Sequence, residues 1–465
     1  MGARVVDMLD QTAAPLYEGL AAYQAGGMTG FHTPGHTSGR AFDLSGLTRL
    51  DLTEIPIKPG GPLTLGLVRQ AEALAADFFG AACSRFLSNG ASIGVMTMIL
   101  GACPPGGGII IARDCHRSAV NACIIGDLRP QFIPSLFSPD WHFPLGMDPI
   151  KTTAFLSGDT PVLITNPTYQ GVHWDLRPLA APGGRLLVDE AHGAHLVFGD
   201  NQQGARAAGA AAWVHGCHKT LGSLTQTGIL HLRAGVDAKP FVRWLERLES
   251  TSPSYPLLSS LDLARQWAAL YGQGLWTQAA ARLASVRARL RSAGLRILDT
   301  ADLPPGASLD PAKLTVRTPD GGLITARKLQ ELYGLQAEAA GPDWITFLIT
   351  PFHTDAELNS LCFALLALLS GVPHGQAETV RPRLHPERIL WPREAALAPK
   401  REFPLCTAKN LVAAEPLCPY PPGIPLVWPG ERISPEMIDY LEDFTASGGL
   451  VQGIDSAGEV SVADV

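Results

Sequence analysis

Between Phe86 and Arg233, short apolar runs alternate with stretches of helical periodicity, and this alternation restricts the fold more than any other feature of the chain. The runs are GGIIIAR, PVLITN, GRLLVDE, AAWVHG and GILHLR. Runs that are apolar almost throughout, rather than at every second position, belong to strands covered on both faces. Strands separated by helices give an α/β fold with a mostly parallel central sheet. Such sheets bind ligands at the carboxyl ends of their strands, so the residues just after each run are the ones to read for chemistry.

A chain of 465 residues exceeds one small domain. Residues 1–55 read as an N-terminal arm holding the His/Pro/Gly-rich FHTPGHTSGR, and 56–275 as the large domain. The basic amphipathic helix QAAARLASVRARLRSAG, stopped by its glycine, leads into a smaller α/β domain at 276–371. There AKLTVRT and WITFLIT read as strands and DAELNSLCFALLALLSG as a helix. Residues 372–465 are rich in proline, a composition that suits a linker, yet the embedded Trp, Tyr and Ile argue for a packed subdomain.

Composition narrows the function classes. A hydrophobic content of 46 % and a charged content of 17 % describe a soluble globular protein rather than a disordered one. A net charge of -7 with no basic stripe argues against a nucleic-acid partner. The longest apolar stretch, LCFALLALLSGV, is about a dozen residues where a membrane span needs roughly 20. The eight cysteines are scattered, with no CxxC and no zinc-type spacing, and read as reduced thiols in a cytoplasmic protein. The first twenty residues carry early acids and no apolar core, and Val6 stands where a myristoylation motif has Ser or Thr.

Four features fall at strand ends. In SNGASIGVMTM, Gly90 turns the chain while Ala91 and Ser92 open a helix whose N–H groups suit an anion, or simply form an ordinary N-cap. In RDCHRS, His116 is placed to stack on a planar ring or to cap the turn. LLVDEAHGAH ends a strand with Asp189, followed by Glu190, His192 and His195; a buried Asp there wants a cation, and a metal reading lacks a convincing ligand set. HGCHKTLGSL places Lys219 after the next run, as a candidate amine nucleophile or as an exposed lysine in a turn. An anion cradle, a stacking ring, a carboxylate and an amine together match what pyridoxal 5'-phosphate (PLP) requires.

The motifs also resemble the bacterial-type ornithine/lysine/arginine decarboxylases, PLP-dependent enzymes of fold type I. The resemblance runs in order through FHTPGH, LDLTEIP, SNGASIG, NPTYQGV, VDEAHGAHL, HKTLGSLTQTGILH, TSPSYPLLSSLD and PYPPGIPLVWPGE. It implies a Schiff base at Lys219, a pyridinium partner at Asp189, ring stacking by His116, and phosphate contacts from Gly90, Ala91 and Ser92. Asn166, Ala191 and His192 are implied beside the cofactor, and His218 is equivalent to the histidine preceding the family's lysine. It further implies a homodimer with composite sites, in which Thr251 or Ser252 reaches the neighbouring cofactor, and possible higher assembly. Glu415 matches an acidic position near the substrate's distal amine, and Asp51 and Glu54 are further acids for a basic side chain. The expected reaction is decarboxylation of lysine, ornithine or arginine, with Lys219 or His218 returning a proton to the α-carbon.

The chain departs from the family at three places. Thr37 stands where the loop PGHK has lysine, Gly216 stands where a serine precedes the Schiff-base lysine, and IPIKPGGPLTLG replaces an acid-rich segment. Ser223 or a partner-chain residue is the expected replacement for the missing serine hydroxyl. Two alternatives stay open at this point: an aminotransferase or lyase of the same fold, and a catalytically silent homologue that binds a true decarboxylase.

Overall fold

The computed structural model describes residues 29–31, 64–155, 159–179, 185–199, 204–371, 386–420 and 423–465, and every structural statement below concerns those residues. Thr37, Asp51, Glu54 and nearly all of the N-terminal arm lie outside them.

The core is a seven-stranded sheet. In chain order its strands are β1 (Cys83–Leu87), β2 (Gly108–Ala112), β3 (Arg129–Ile133), β4 (Val162–Thr165), β5 (Leu186–Asp189), β6 (Ala212–His215) and β7 (Gly228–Leu232). Their spatial order is β1-β7-β6-β5-β4-β2-β3. All share one direction except β7, which is antiparallel to both neighbours. The five apolar runs are the five inner strands. The edge strands, CSRFL and RPQFI, carry polar residues because only one side of each is paired and part of each faces water. Their sequences therefore lack the apolar signature of the interior.

Successive side chains on a strand point to opposite faces, and β2 shows the result. Ile109 and Ile111 enter the cluster that holds Val95, Met98, Leu187 and Val214, while Ile110 enters the opposite cluster with Ile164, Val188 and Trp213. Each such burial is worth about 1.5–3 kcal/mol. Helix α1 (Gly90–Ala102) covers the first face together with α4 (Lys239–Leu248), after α2 (Arg117–Gly126) and the short α3 (Cys217–Thr220). Gly94 permits the close docking of α1, since a Cβ there would lie 2.4 Å from Val214 Cγ2. The same contact fixes where the first turn of α1 meets the strand ends.

A second sheet joins β8 (Lys313–Arg317), β9 (Ala339–Ala340) and β10 (Trp344–Leu348), with β10 antiparallel to both. Helices α5 (Gln273–Ser292) and α6 (Asp355–Leu369) close its core through Leu283, Leu361 and Leu365 against Leu314 and Phe347. The proline-rich C-terminal stretch is packed rather than extended: Leu405, Val427, Ile433, Leu441 and Val460 form a cluster of their own. It is tied to the large sheet by Arg113, whose guanidinium donates to both carboxylate oxygens of Glu431 at 2.7 Å, both side chains being buried. Arg113 follows β2 directly, so this tether ends beside the loop that carries His116.

Candidate active site

A cavity of about 550 Å³ opens at the carboxyl ends of the large sheet, where α1, the loops after β2, β4 and β5, and α3 converge. Asn89, Gly90, Ala91 and Ser92 form one end. Asn89 makes no side-chain cap bond to α1, and the Gly90 N–H donates to the Gln226 carbonyl at 2.8 Å; Ala91 and Ser92 line the cavity at the positive end of the helix dipole. Thr225 lines the same end, whereas Ser223 is buried in a 2.6 Å hydrogen bond with Thr227 and does not reach the cavity. Ser223, one of the two expected replacements for the missing serine hydroxyl, therefore lies outside the cavity lining, whereas the Thr225 side chain is part of it. Gly216 itself has a steric reason: a Cβ there would lie 2.8 Å from the Ala191 carbonyl oxygen.

His116 is the N-cap of α2. Its Nδ1 accepts from the Ser118 N–H at 3.2 Å, which leaves the proton on Nε2 and sets the ring plane. Burial, with Lys219 and Arg117 adding to it, lowers its pKa to about 4, so the ring presents a neutral face to the cavity at pH 7. Asp189 ends β5; its Oδ1 accepts the Ala191 N–H at 3.1 Å, and burial raises its pKa with Lys219 opposing. A carboxylate held there with one hydrogen bond is stabilised by whatever cation enters.

Lys219 follows β6 on α3 and lies on the cavity wall. Burial lowers its pKa from the usual 10.5 to about 8; Asp189 and Glu338 oppose that shift and Lys313 reinforces it. Its Nζ is 2.7 Å from His192 Nε2. On the other side of that ring, His192 Nδ1 is 3.4 Å from Lys313 Nζ. Tyr169 meets His192 edge-on at 4.8 Å, and its hydroxyl donates to Glu338 Oε1 at 3.1 Å. His218 Nδ1 donates to the Thr227 carbonyl at 2.8 Å while the residue lines the cavity.

Of the residues named from sequence, Gly90, Ala91, Ser92, His116, Asp189, Ala191, His192, His218 and Lys219 share this cavity. The others do not line it. Asn166 is buried beside it, its amide spent on the Trp174 backbone at 2.8 and 3.2 Å, and Thr165 lines the cavity in its place. Glu415 pairs with Lys400 on the surface. Thr251 and Ser252 are exposed, and His195 is buried against Asp310 at 2.7 Å. Four lining or supporting residues escaped the sequence reading: Asp114, Tyr169, Lys313 and Glu338. Asp114 precedes His116 in the same strand-end turn, a signal that was available; Lys313 and Glu338 come from the second sheet, and nothing local marks them.

The donor set can be tested for a bound group. The Thr165 hydroxyl and Asp114 Oδ1 are buried with no hydrogen-bond partner, and both residues line the cavity. Orphaned polar atoms beside an anion cradle, a neutral ring face, an isolated carboxylate and an amine of lowered pKa fit a planar, phosphorylated, cationic ring bearing a hydroxyl and an aldehyde.

Residues 14–303 match the family described as Orn/Lys/Arg decarboxylase, major domain, and residues 386–456 match its C-terminal domain. The arginine decarboxylase of Bacillus subtilis (strain 168) is 33% identical over 472 residues, 96% of each chain. The constitutive lysine decarboxylase of Escherichia coli (strain K12) is 25% identical over 561 residues, covering 94% of this chain and 78% of its own. Among solved structures, the E. coli constitutive lysine decarboxylase superposes with a TM-score of 0.72 at 21% identity, over 98% of this chain and 82% of that one, a likeness of fold. The architecture is that of the PLP-dependent fold type I enzymes. Family match, near end-to-end relatives and fold agree, and the chain belongs to the Orn/Lys/Arg decarboxylase family.

Proposed function

We propose that the protein is a PLP-dependent decarboxylase that converts a basic L-amino acid into the corresponding amine and carbon dioxide. The observation that carries this reading is the convergence of Lys219, His192, Asp189 and His116 on one cavity, with the Lys219 amine 2.7 Å from His192. Ala91 and Ser92 would hold the phosphate, His116 the ring face, Asp189 the ring nitrogen and Lys219 the aldehyde carbon. When bound, PLP supplies an electron sink for the electron pair left as the bond to the carboxylate breaks. Asp189 keeps the ring nitrogen protonated, because an anion beside it favours the charged form. Lys219 and His218 both line the cavity and would be the candidates to return a proton to the α-carbon.

The cavity also suits a cationic side chain. Asp114 and Glu338 line it in addition to Asp189, while the nearby Arg113 is neutralised by Glu431. Two relatives that match over 96% of their own length are arginine decarboxylases, which makes arginine the first substrate to offer. The exposure of Thr251 and Ser252 away from their own cavity supports a role across a homodimer interface. No described helix is long and apolar enough to cross a membrane, and the scattered unpaired thiols support a reducing, cytoplasmic setting. An amine product of this kind belongs to polyamine formation.

The test is to supply L-arginine, L-lysine and L-ornithine separately, without a keto acid, to the PLP-loaded protein. Carbon dioxide and amine are expected in equal amounts over many turnovers with at least one of them. A single half-turnover without gas would assign an aminotransferase, and no reaction would assign a silent homologue. Leucine or glutamate as the best substrate would overturn the preference for a basic side chain.

A further inference from the structure

Lys313 lies inside β8, is 2 % exposed and is not among the residues lining the cavity. It nonetheless faces the ring that Lys219 faces, from the other nitrogen. A neutral imidazole has one N–H and one lone pair, whereas an ammonium group only donates. Both lysines cannot bond this ring as ammonium ions. Burial, reinforced by Lys219 and Lys313, lowers the His192 pKa well below 6.5, which excludes a doubly protonated ring at neutral pH. The ring can therefore bond both lysines only when one of them is a neutral amine.

The surroundings decide which. The charge on Lys219 is supported by the carboxylates of Asp189 and Glu338, with Lys313, His192, His116 and His218 as the other titratable groups nearby. In the proposed function Asp189 is taken by the cofactor's ring nitrogen, and Lys219 loses its first supporting anion. Lys313 keeps Glu338 and Asp310, and its Nζ lies over the Tyr169 ring, 5.1 Å from the centroid. Its backbone carbonyl is clamped by Arg287, and Asp310 is fixed by His195 and the Ala312 N–H. Of the two, Lys219 is placed to give up its proton and Lys313 to keep its charge.

We propose that Lys313 is a positioning residue: its ammonium group donates to His192 Nδ1, fixes the ring proton on Nε2, and so favours loss of the Lys219 proton and the neutral amine that results. The bond from His192 to Lys219 is released when the amine attacks. This rests on the function proposed above for the step in which Asp189 is engaged, but its consequence can be read in protein free of cofactor and substrate.

The experiment is reductive methylation of cofactor-free protein with formaldehyde and cyanoborohydride across a pH series, with the Lys219 peptide quantified by mass spectrometry. Wild type is expected to show a midpoint at about 8. Lys313→Met removes the fixed cation, and the midpoint should rise by about one unit, slowing labelling about tenfold at pH 7. Lys313→Arg keeps a permanent donor and should leave the midpoint in place; a lower midpoint in that variant would show that Lys313 is the neutral member and overturn the proposal, even if Lys313→Met fails to fold. In a His192→Phe background, Lys313→Met should add nothing further, and an undiminished shift there would show a charge acting through space, not a positioning residue. Because labelling does not depend on turnover, it stands or falls separately from the gas-evolution test.

Discussion

Two lysines approach His192 from two different sheets, and the contrast between their surroundings separates the proposed nucleophile from the residue proposed to tune it. Lys219 follows the end of β6 and borders a cavity, where an incoming carbonyl group can reach its amine. Lys313 sits within β8, walled in by Tyr169, Glu338 and Asp310. Burial lowers the pKa of both. What differs is access, and access follows from position: a residue past the strand end faces the crevice of the sheet, whereas a residue within a strand faces a core.

The largest expected effect comes from destroying one side of that contrast. Lys219→Ala leaves the cavity without an amine, and turnover measured as released carbon dioxide should fall by about four orders of magnitude or more. Lys313→Met should leave turnover far above that level, because its influence passes through His192. Asp189→Asn is nearly isosteric and removes the anion opposite the ring nitrogen. We expect a loss of about 10³ in kcat with the melting temperature nearly unchanged; wild-type rates would assign Asp189 a purely structural part.

A smaller effect is expected at Asp114, whose Oδ1 has no partner and whose carboxyl pKa is raised by burial. Asp114→Asn should raise KM for a basic amino acid about tenfold while leaving kcat and PLP affinity within about twofold. A drop in kcat at constant KM would move Asp114 from substrate recognition to the chemistry.

The smallest effect is a pH dependence. The Lys219 pKa is lowered in the folded protein from 10.5 to about 8, so below pH 8 the ammonium form dominates and cannot attack an aldehyde. The rate at which PLP attaches to cofactor-free protein should rise about tenfold per unit up to pH 8 and then level off. A rise continuing to pH 10 would mean an unperturbed amine.

The sequence displayed the inner strands of the large sheet because burial on both faces demands continuous apolar residues, and it displayed Lys219, Asp189, His116 and His192 because they follow those strands. The reversed direction of β7 left no trace in GILHLR, since a buried strand reads alike in either direction. Asn166 shows the limit of counting from a strand end: it lies one residue past Thr165, yet its amide is used by Trp174. Glu415, placed by family resemblance, is drawn to Lys400 on the surface of this chain. Lys313 and Glu338 were invisible because they reach the site by packing of a second sheet against the first, and such packing has no local pattern.

The contrast between the two lysines is tested most directly by loading the protein with PLP, reducing with borohydride, digesting, and locating the pyridoxyl group by mass spectrometry. The account predicts the group on Lys219, with Lys313 unmodified. A pyridoxyl group on Lys313, or an unmodified Lys219 peptide from fully loaded and reduced protein, would contradict it.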